Sequence, residues 1–136
     1  KIINLRKRNP MTVLPNFNLE EAQIFKDIAK SQHDHPVFML NLNRYKDEAD
    51  YPSGRIYKSY MKVLDKLLSE VGAKILWRTS VKGIVVGKQI IHEAIGIWYP
   101  SHQAFLNLQS SPSSEENMNL RKAAIEHADL HRCSTY

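Results

Sequence analysis

Apolar positions along this chain recur with two periods, and the switches between them lay out the elements. Ala22, Phe25, Ile28 and Ala29 return at steps of three and four residues. Asn18 stands before them as a cap, with Glu20 and Glu21 in the first turn, so residues 19–31 read as an amphipathic helix lying on the domain or on a partner subunit. A broader stripe of Ile56, Tyr60, Leu64, Leu67 and Val71 predicts the longest helix over residues 55–71, with Gly72 at its C-cap. Four stretches rich in β-branched and aromatic residues, 36–44, 73–81, 92–100 and 128–134, read as strands.

Side chains alternate along a strand, so each stretch divides into two faces. In the central strand 92–100, Glu93, Ile95, Ile97 and Tyr99 form a core face. His92, Ala94, Gly96 and Trp98 form the other, with room between the histidine and the tryptophan. In the first strand Phe38, Leu40 and Leu42 are expected inward, and Val37, Met39, Asn41 and Asn43 outward. In the second, Ile75, Trp77, Thr79 and Val81 share a face opposed to Leu76, Arg78 and Ser80. Ile84-Val85-Val86, between Gly83 and Gly87, reads as an extension past a bulge. Residues 45–54 form a charged loop of the kind that acts as a lid. Ser101 caps a helix over 102–108, the serine-rich run at 110–114 breaks it, and a second helix over 115–125 turns Met118, Arg121 and Ile125 toward the sheet.

The order, a helix followed by β-α-β-β-α-β, predicts an α+β domain of ferredoxin-like plan, an antiparallel four-stranded sheet with helices on one face. The bare face, carrying Met39, Leu76 and Trp98, would be an exposed apolar patch. Its economical cover is the same face of a second copy, giving a homodimer whose sheets close into an α/β barrel. Residues 1–18 are expected to be a basic, poorly ordered extension, 19–35 a lead-in helix and turn, and 36–136 the ferredoxin-like domain.

Particular residues carry a resemblance. Phe38-Met39-Leu40-Asn41-Leu42, Tyr57 with Tyr60, Val71-Gly72-Ala73, Val86-Gly87, Tyr99-Pro100-Ser101 with Ala104-Phe105, and Leu120-Arg121 follow one another in that order. Over residues 36–133 the chain resembles the dimeric α/β-barrel proteins of domain-of-unknown-function family 1330. It departs from their pattern at Gly72-Ala73, where the family has a Gly-Gly pair, and at Ser113-Ser114-Glu115, where a tyrosine follows the proline. The resemblance implies the fold and the dimer but no reaction. The wider superfamily spans cofactor-free monooxygenases, lactone isomerases, polyketide cyclases, haem enzymes and amino-acid-sensing domains.

Composition narrows the classes further. At 136 residues and 43% hydrophobic, the chain fits one domain with a real core. Lys1, Arg6, Lys7 and Arg8 supply four of the five net positive charges, leaving a near-neutral body without the basic face that nucleic acid requires. No apolar run reaches the roughly 20 residues of a membrane helix. Residues 1–10 lack the apolar stretch of a secretory leader and read as an upstream extension or a trimmed leader. The single Cys133, read as a small strand hydrophobe, fits a cytoplasmic location, as does the lack of an Asn-x-Ser/Thr acceptor.

The candidate chemistry is a set of polar residues near strand ends. His92 is the proposed general base, with Asn41 or Arg78 holding an oxyanion. Asn43, Trp98, Tyr60, Arg121 and His131 are the proposed substrate-binding residues, and either Tyr57 or Tyr60 reaches the pocket rim. Glu93 points away from its neighbour His92 and is expected to pair with Arg121, unless Arg121 holds a substrate carboxylate. Apolar walls come from Trp77 or Trp98, Met39 and Phe105.

No metal or cofactor is expected. His33-Asp34-His35 reads as a polar turn. His127 and His131 in a strand are roughly 13 Å apart, too far to chelate. A haem would need an axial histidine, His92 or His131. The leading reading is a cofactor-free enzyme of isomerase, cyclase or monooxygenase type acting on a small apolar or aromatic carbonyl compound. The alternatives are a non-catalytic binding or sensing dimer, and a structural protein whose lead-in helix docks elsewhere.

Overall fold

The computed structural model describes Leu14 and residues 16–135. The expectations for residues 1–13 and 15 lie outside the described residues. Helix α1 (Leu19–Lys30) is capped by Asn18, whose Oδ1 accepts from the backbone N–H groups of Glu20 and Glu21. It is followed by β1 (Val37–Tyr45), α2 (Arg55–Glu70), β2 (Lys74–Ser80), β3 (Glu93–Tyr99), α3 (His102–Leu106), α4 (Ser114–Ala124) and β4 (Ile125–Cys133). Gly72, at φ 77°, turns the chain out of α2 in a left-handed conformation that a side chain would strain.

The four strands pair antiparallel in the order β2-β3-β1-β4, the ferredoxin-like α+β arrangement. Helices α2 and α4 lie together on one face, and Glu70 clasps them by accepting from the Ser113 N–H and hydroxyl at 3.0 and 2.6 Å. The extra helix α1 lies on this same layer, not on a distant surface. Phe25 stacks within 4.8 Å of Phe105 and 5.0 Å of His102, and Arg132 of β4 holds Glu21 at 2.7 and 3.1 Å. Asp34 accepts from the N–H groups of His102 and Gln103 and from the His102 ring. The His33-Asp34-His35 turn therefore fastens α3 to the end of α1.

The register reverses the expected faces of β1. Asn43 pairs with Glu93, Asn41 with Ile95, Met39 with Ile97 and Val37 with Tyr99, so all of them share the helix-covered face. Phe38, Leu40 and Leu42 point to the open face instead. Periodicity favours Phe38, Leu40 and Leu42 because the other set carries two asparagines. Val37 and Met39 nevertheless make that set apolar enough to bury, and pairing with the core set of β3 decides the orientation. Met39, 4% exposed, accordingly belongs to the core and not to the bare face.

In β2 the register shifts between Ile75 and Trp77, sending those two residues to opposite faces. Ile75 joins the core with Ile97, while Trp77 lies opposite Gly96. The room expected beside Gly96 is filled, since a β-carbon there would come within 2.5 Å of Phe38 and 2.6 Å of Trp77. Ile84-Val85-Val86 does not extend β2 but sits in the loop 81–92, with Val85 98% and Val86 92% exposed. Helix α3 ends at Leu106 and passes into a 3-10 turn at Asn107–Ser110, shorter than the 102–108 expected. Strand β4 begins at Ile125, three residues earlier than expected, so His127 and His131 both lie in it.

Candidate functional site

The helix-covered face of the sheet does not close completely on α2 and α4. A cavity of about 120 Å³ remains between them. Its floor is Asn41, Asn43, Ile95 and Ile97 of the sheet, and its roof carries Tyr60 and Leu64 from α2 and Asn117 and Arg121 from α4. A wider cleft of about 430 Å³ opens beside it, under α1 and along β4. The two spaces share Leu14, Phe17, Phe105, Arg121 and Leu130, so Arg121 stands at their junction.

The inner cavity has mostly apolar walls and a few polar groups. Asn41 Nδ2 donates to the Met39 carbonyl at 3.1 Å. Asn43 Nδ2 donates to the Tyr45 hydroxyl at 3.1 Å, and Tyr45 in turn donates to Glu93 Oε1 at 2.7 Å. Tyr57 donates to the same buried carboxylate at 3.0 Å, and Arg78 reaches it at 3.6 Å from the sheet edge. Burial pushes the phenols of Tyr45 and Tyr57 well above the ordinary tyrosine range, and the Glu93 charge adds to the rise. Tyr60 is raised chiefly by burial, opposed by the Arg121 guanidinium beside it.

Asn41, Asn43, Tyr60 and Arg121 all line this one cavity, and Phe105 supplies an apolar wall. His92, Arg78 and Trp98 stand outside it. His92 Nδ1 accepts the Tyr45 N–H at 2.9 Å, which leaves the neutral ring protonated on Nε2, and its face stacks on Tyr45 and Tyr51. The lone pair a general base would use is occupied. Arg78 is spent on Glu93, which corrects the expected Arg121–Glu93 pair. Trp98 lies on the open face beneath Lys74, and His131 borders the outer cleft from β4. Trp77 is on the open face, and Met39 lines the outer cleft. Cys133 is half-buried at the end of β4. Among the described residues, no three His, Cys, Asp or Glu side chains converge as metal ligands.

Sequence reasoning missed two lining residues. Asn117 Nδ2 and Gln109 Oε1 are buried and hydrogen-bonded to nothing. The four-residue step from Asn117 to Arg121 was the available signal, since it puts both on one helix face. Nothing local marks Gln109.

This fold and cavity define an α+β domain of ferredoxin-like type with a small, half-open site between sheet and helices. No protein-family model matches the chain, and no curated protein matches it in sequence. Among solved structures it is similar to RPA0582, a protein of unknown function from Rhodopseudomonas palustris, at 24% identity over 88% of this chain and 94% of that one, with a TM-score of 0.70. The methylated form of RPA0582 gives 25% identity over 84% and 90% of the two chains, with a TM-score of 0.68. At3g17210 from Arabidopsis thaliana shares the fold at 13% identity over 74% of this chain and 95% of that one, with a TM-score of 0.53.

Proposed function

We propose that this chain is a homodimeric α/β-barrel protein, of the kind grouped in domain-of-unknown-function family 1330, that binds a small apolar or aromatic carbonyl compound between its sheet and helices. The inner cavity carries the reading, because apolar walls with a few convergent polar groups are the usual make-up of a small-molecule site. Binding or sensing is favoured over catalysis. The ionisable side chains lining that cavity among the described residues are Tyr60, Tyr99 and Arg121, none of them a carboxylate or an imidazole. The hydrogen-bonded chain from Asn43 through Tyr45 to Glu93 supports the second reading, a cofactor-free enzyme of isomerase, cyclase or monooxygenase type, since it links the cavity wall to a buried carboxylate.

The dimer is supported by the open face. Leu76 and Trp77 are 49% and 44% exposed there, and Val85 and Val86 protrude from the adjoining loop. A second copy packed on that face would bury a patch that monomers rarely leave wet. The near-neutral body speaks against nucleic acid and the lone cysteine for the cytoplasm. Among the described residues no helix is long and apolar enough to cross a membrane.

The test is sedimentation at micromolar concentration alongside thermal shift and turnover assays with a panel of small aromatic aldehydes, ketones and lactones. A dimer stabilised by members of the panel without turnover is expected, and turnover would favour the enzyme. A compact monomer that none of them stabilises would end the proposal.

A further inference from the structure

Two polar groups on the inner cavity have no hydrogen-bond partner among the described residues, and a third, the Arg121 guanidinium, lies beside the Tyr60 phenol without a carboxylate to balance its charge. Asn117 is 7% exposed, its Nδ2 meets no acceptor, and Gln109 Oε1 meets no donor. Arg121 follows Asn117 by one helical turn and makes no ion pair among the described residues. Among the described residues no aspartate or glutamate lines the inner cavity. The two acids of the outer cleft are engaged, Glu21 by Arg132 at 2.7 Å and Asp129 by Gln89 and His127 at 2.7 and 3.0 Å. Residues 1–13 contain no acidic side chain.

A guanidinium whose neighbour is a neutral phenol and not a carboxylate, and an unmet amide donor, both on a largely apolar space, are costly unless something else accepts from them. A carboxylate does so economically. Its two oxygens offer about four lone-pair directions, enough for the guanidinium fork and the Asn117 amide together. The rest of the space is bounded by Leu64, Leu67, Ile97, Leu106 and Met118. A volume of about 120 Å³ is near that of a cavity able to hold a benzene ring. Gln109 Oε1 is left for a donor on the ligand body.

We infer that the site takes a small monocarboxylate with an apolar body the size of one ring, its carboxylate held between Arg121 and Asn117. The inference rests on the cavity being the ligand site proposed above, and it deepens that reading by assigning the charge of the ligand. It also gives Arg121 its role as the specificity-determining residue.

Benzoate and its uncharged isostere benzamide test this, with benzaldehyde as a neutral carbonyl control, by calorimetric titration of the full chain at pH 7. Benzoate is expected to bind tighter than benzamide by on the order of tenfold or more, as hydrogen bonds to a charged group imply. Arg121→Gln should abolish that preference, and Asn117→Leu, which removes the donor and nearly conserves volume, should weaken benzoate severalfold. Should Arg121→Gln fail to fold, Asn117→Leu decides alone. Equal binding of benzoate and benzamide, or a preference that survives both substitutions, overturns the carboxylate assignment. Binding of benzaldehyde alone also overturns it but leaves the cavity as a neutral-ligand site. If wild type takes up none of the three, the cavity reading falls with it.

Discussion

The Tyr45 hydroxyl lies 2.7 Å from Glu93 Oε1 in a place where the two residues are 2% and 3% exposed. A carboxylate so buried is tolerable because two phenols donate to it and Arg78 stands 3.6 Å away. Glu93→Ala leaves both hydroxyls without an acceptor and is expected to cost about 3 kcal/mol, whereas Tyr57→Phe removes one donor and should cost about 1 kcal/mol. Urea denaturation measures both. A Glu93→Ala loss of only a few tenths of a kcal/mol would mean that the cluster is looser than its distances indicate.

Helix α1 is held by one aromatic ring far more than by its ion pair. Phe25 is 2% exposed against Phe105 and His102, so Phe25→Ala should cost about 3 kcal/mol or more. The Glu21 side chain is 39% exposed, and Glu21→Gln should cost less than about 1 kcal/mol even though it breaks a bidentate contact with Arg132. Equilibrium unfolding of the two variants gives the ranking, and the reverse order would contradict this account.

Asp34 sets part of the acid limb of stability. Burial alone would raise its carboxyl, but hydrogen bonds from the His102 and Gln103 N–H groups and from the His102 ring outweigh burial and hold it below the usual range. With the folded carboxyl the stronger acid, the unfolded chain takes up that proton first. The contribution is therefore complete above about pH 4 and is lost as pH falls through the lower folded value. Asp34→Asn should be less stable at pH 7 and show a shallower decline below pH 4 in thermal melts. An unchanged acid limb would count against it.

At alkaline pH the sign reverses. Tyr45, Tyr57, Tyr60 and Tyr99 are all raised, chiefly by burial, so the folded state keeps them protonated. Their stabilisation is present below the unfolded value near 10 and is lost as pH climbs past it. Ultraviolet titration should show these phenols ionising together with alkaline unfolding. Reversible ionisation of all the tyrosines near pH 10, with the circular dichroism intact, would refute it.

Gly96 is where the open face admits aromatic rings. Gly96→Val would drive a side chain into Phe38 and Trp77, which lie across its α-carbon. The expected loss is about 1–3 kcal/mol, as for other overpacked sites. If the proposed dimer uses this face, the dissociation constant rises as well. Sedimentation and denaturation of the same variant separate the two effects.

The long-range plan was legible from the chain alone. The helix over 55–71, the Asn18 and Ser101 caps, the Gly72 stop and the core face of β3 all follow from local rules, because capping, handedness and one-sided hydrophobicity act over a few residues. Gathering Asn41, Asn43, Tyr60 and Arg121 into a single cavity followed less directly. The sequence proposed them as a group yet assigned the two asparagines to the opposite face.

What only the tertiary structure decided is which side each ambiguous strand presents and who satisfies whom. β1 has apolar residues on both faces and two asparagines on one, which pointed to the wrong face until the register with β3 fixed it, and the bulge in β2 parted Ile75 from Trp77. His92 and Glu93 looked like chemistry, and their partners, Tyr45 and Tyr57, come from β1 and α2 across the fold. The unmet amides of Gln109 and Asn117 are visible only once every neighbour is in place. Periodicity is a property of a few consecutive residues, whereas pairing, burial and the lack of a hydrogen-bond partner depend on residues tens of positions apart.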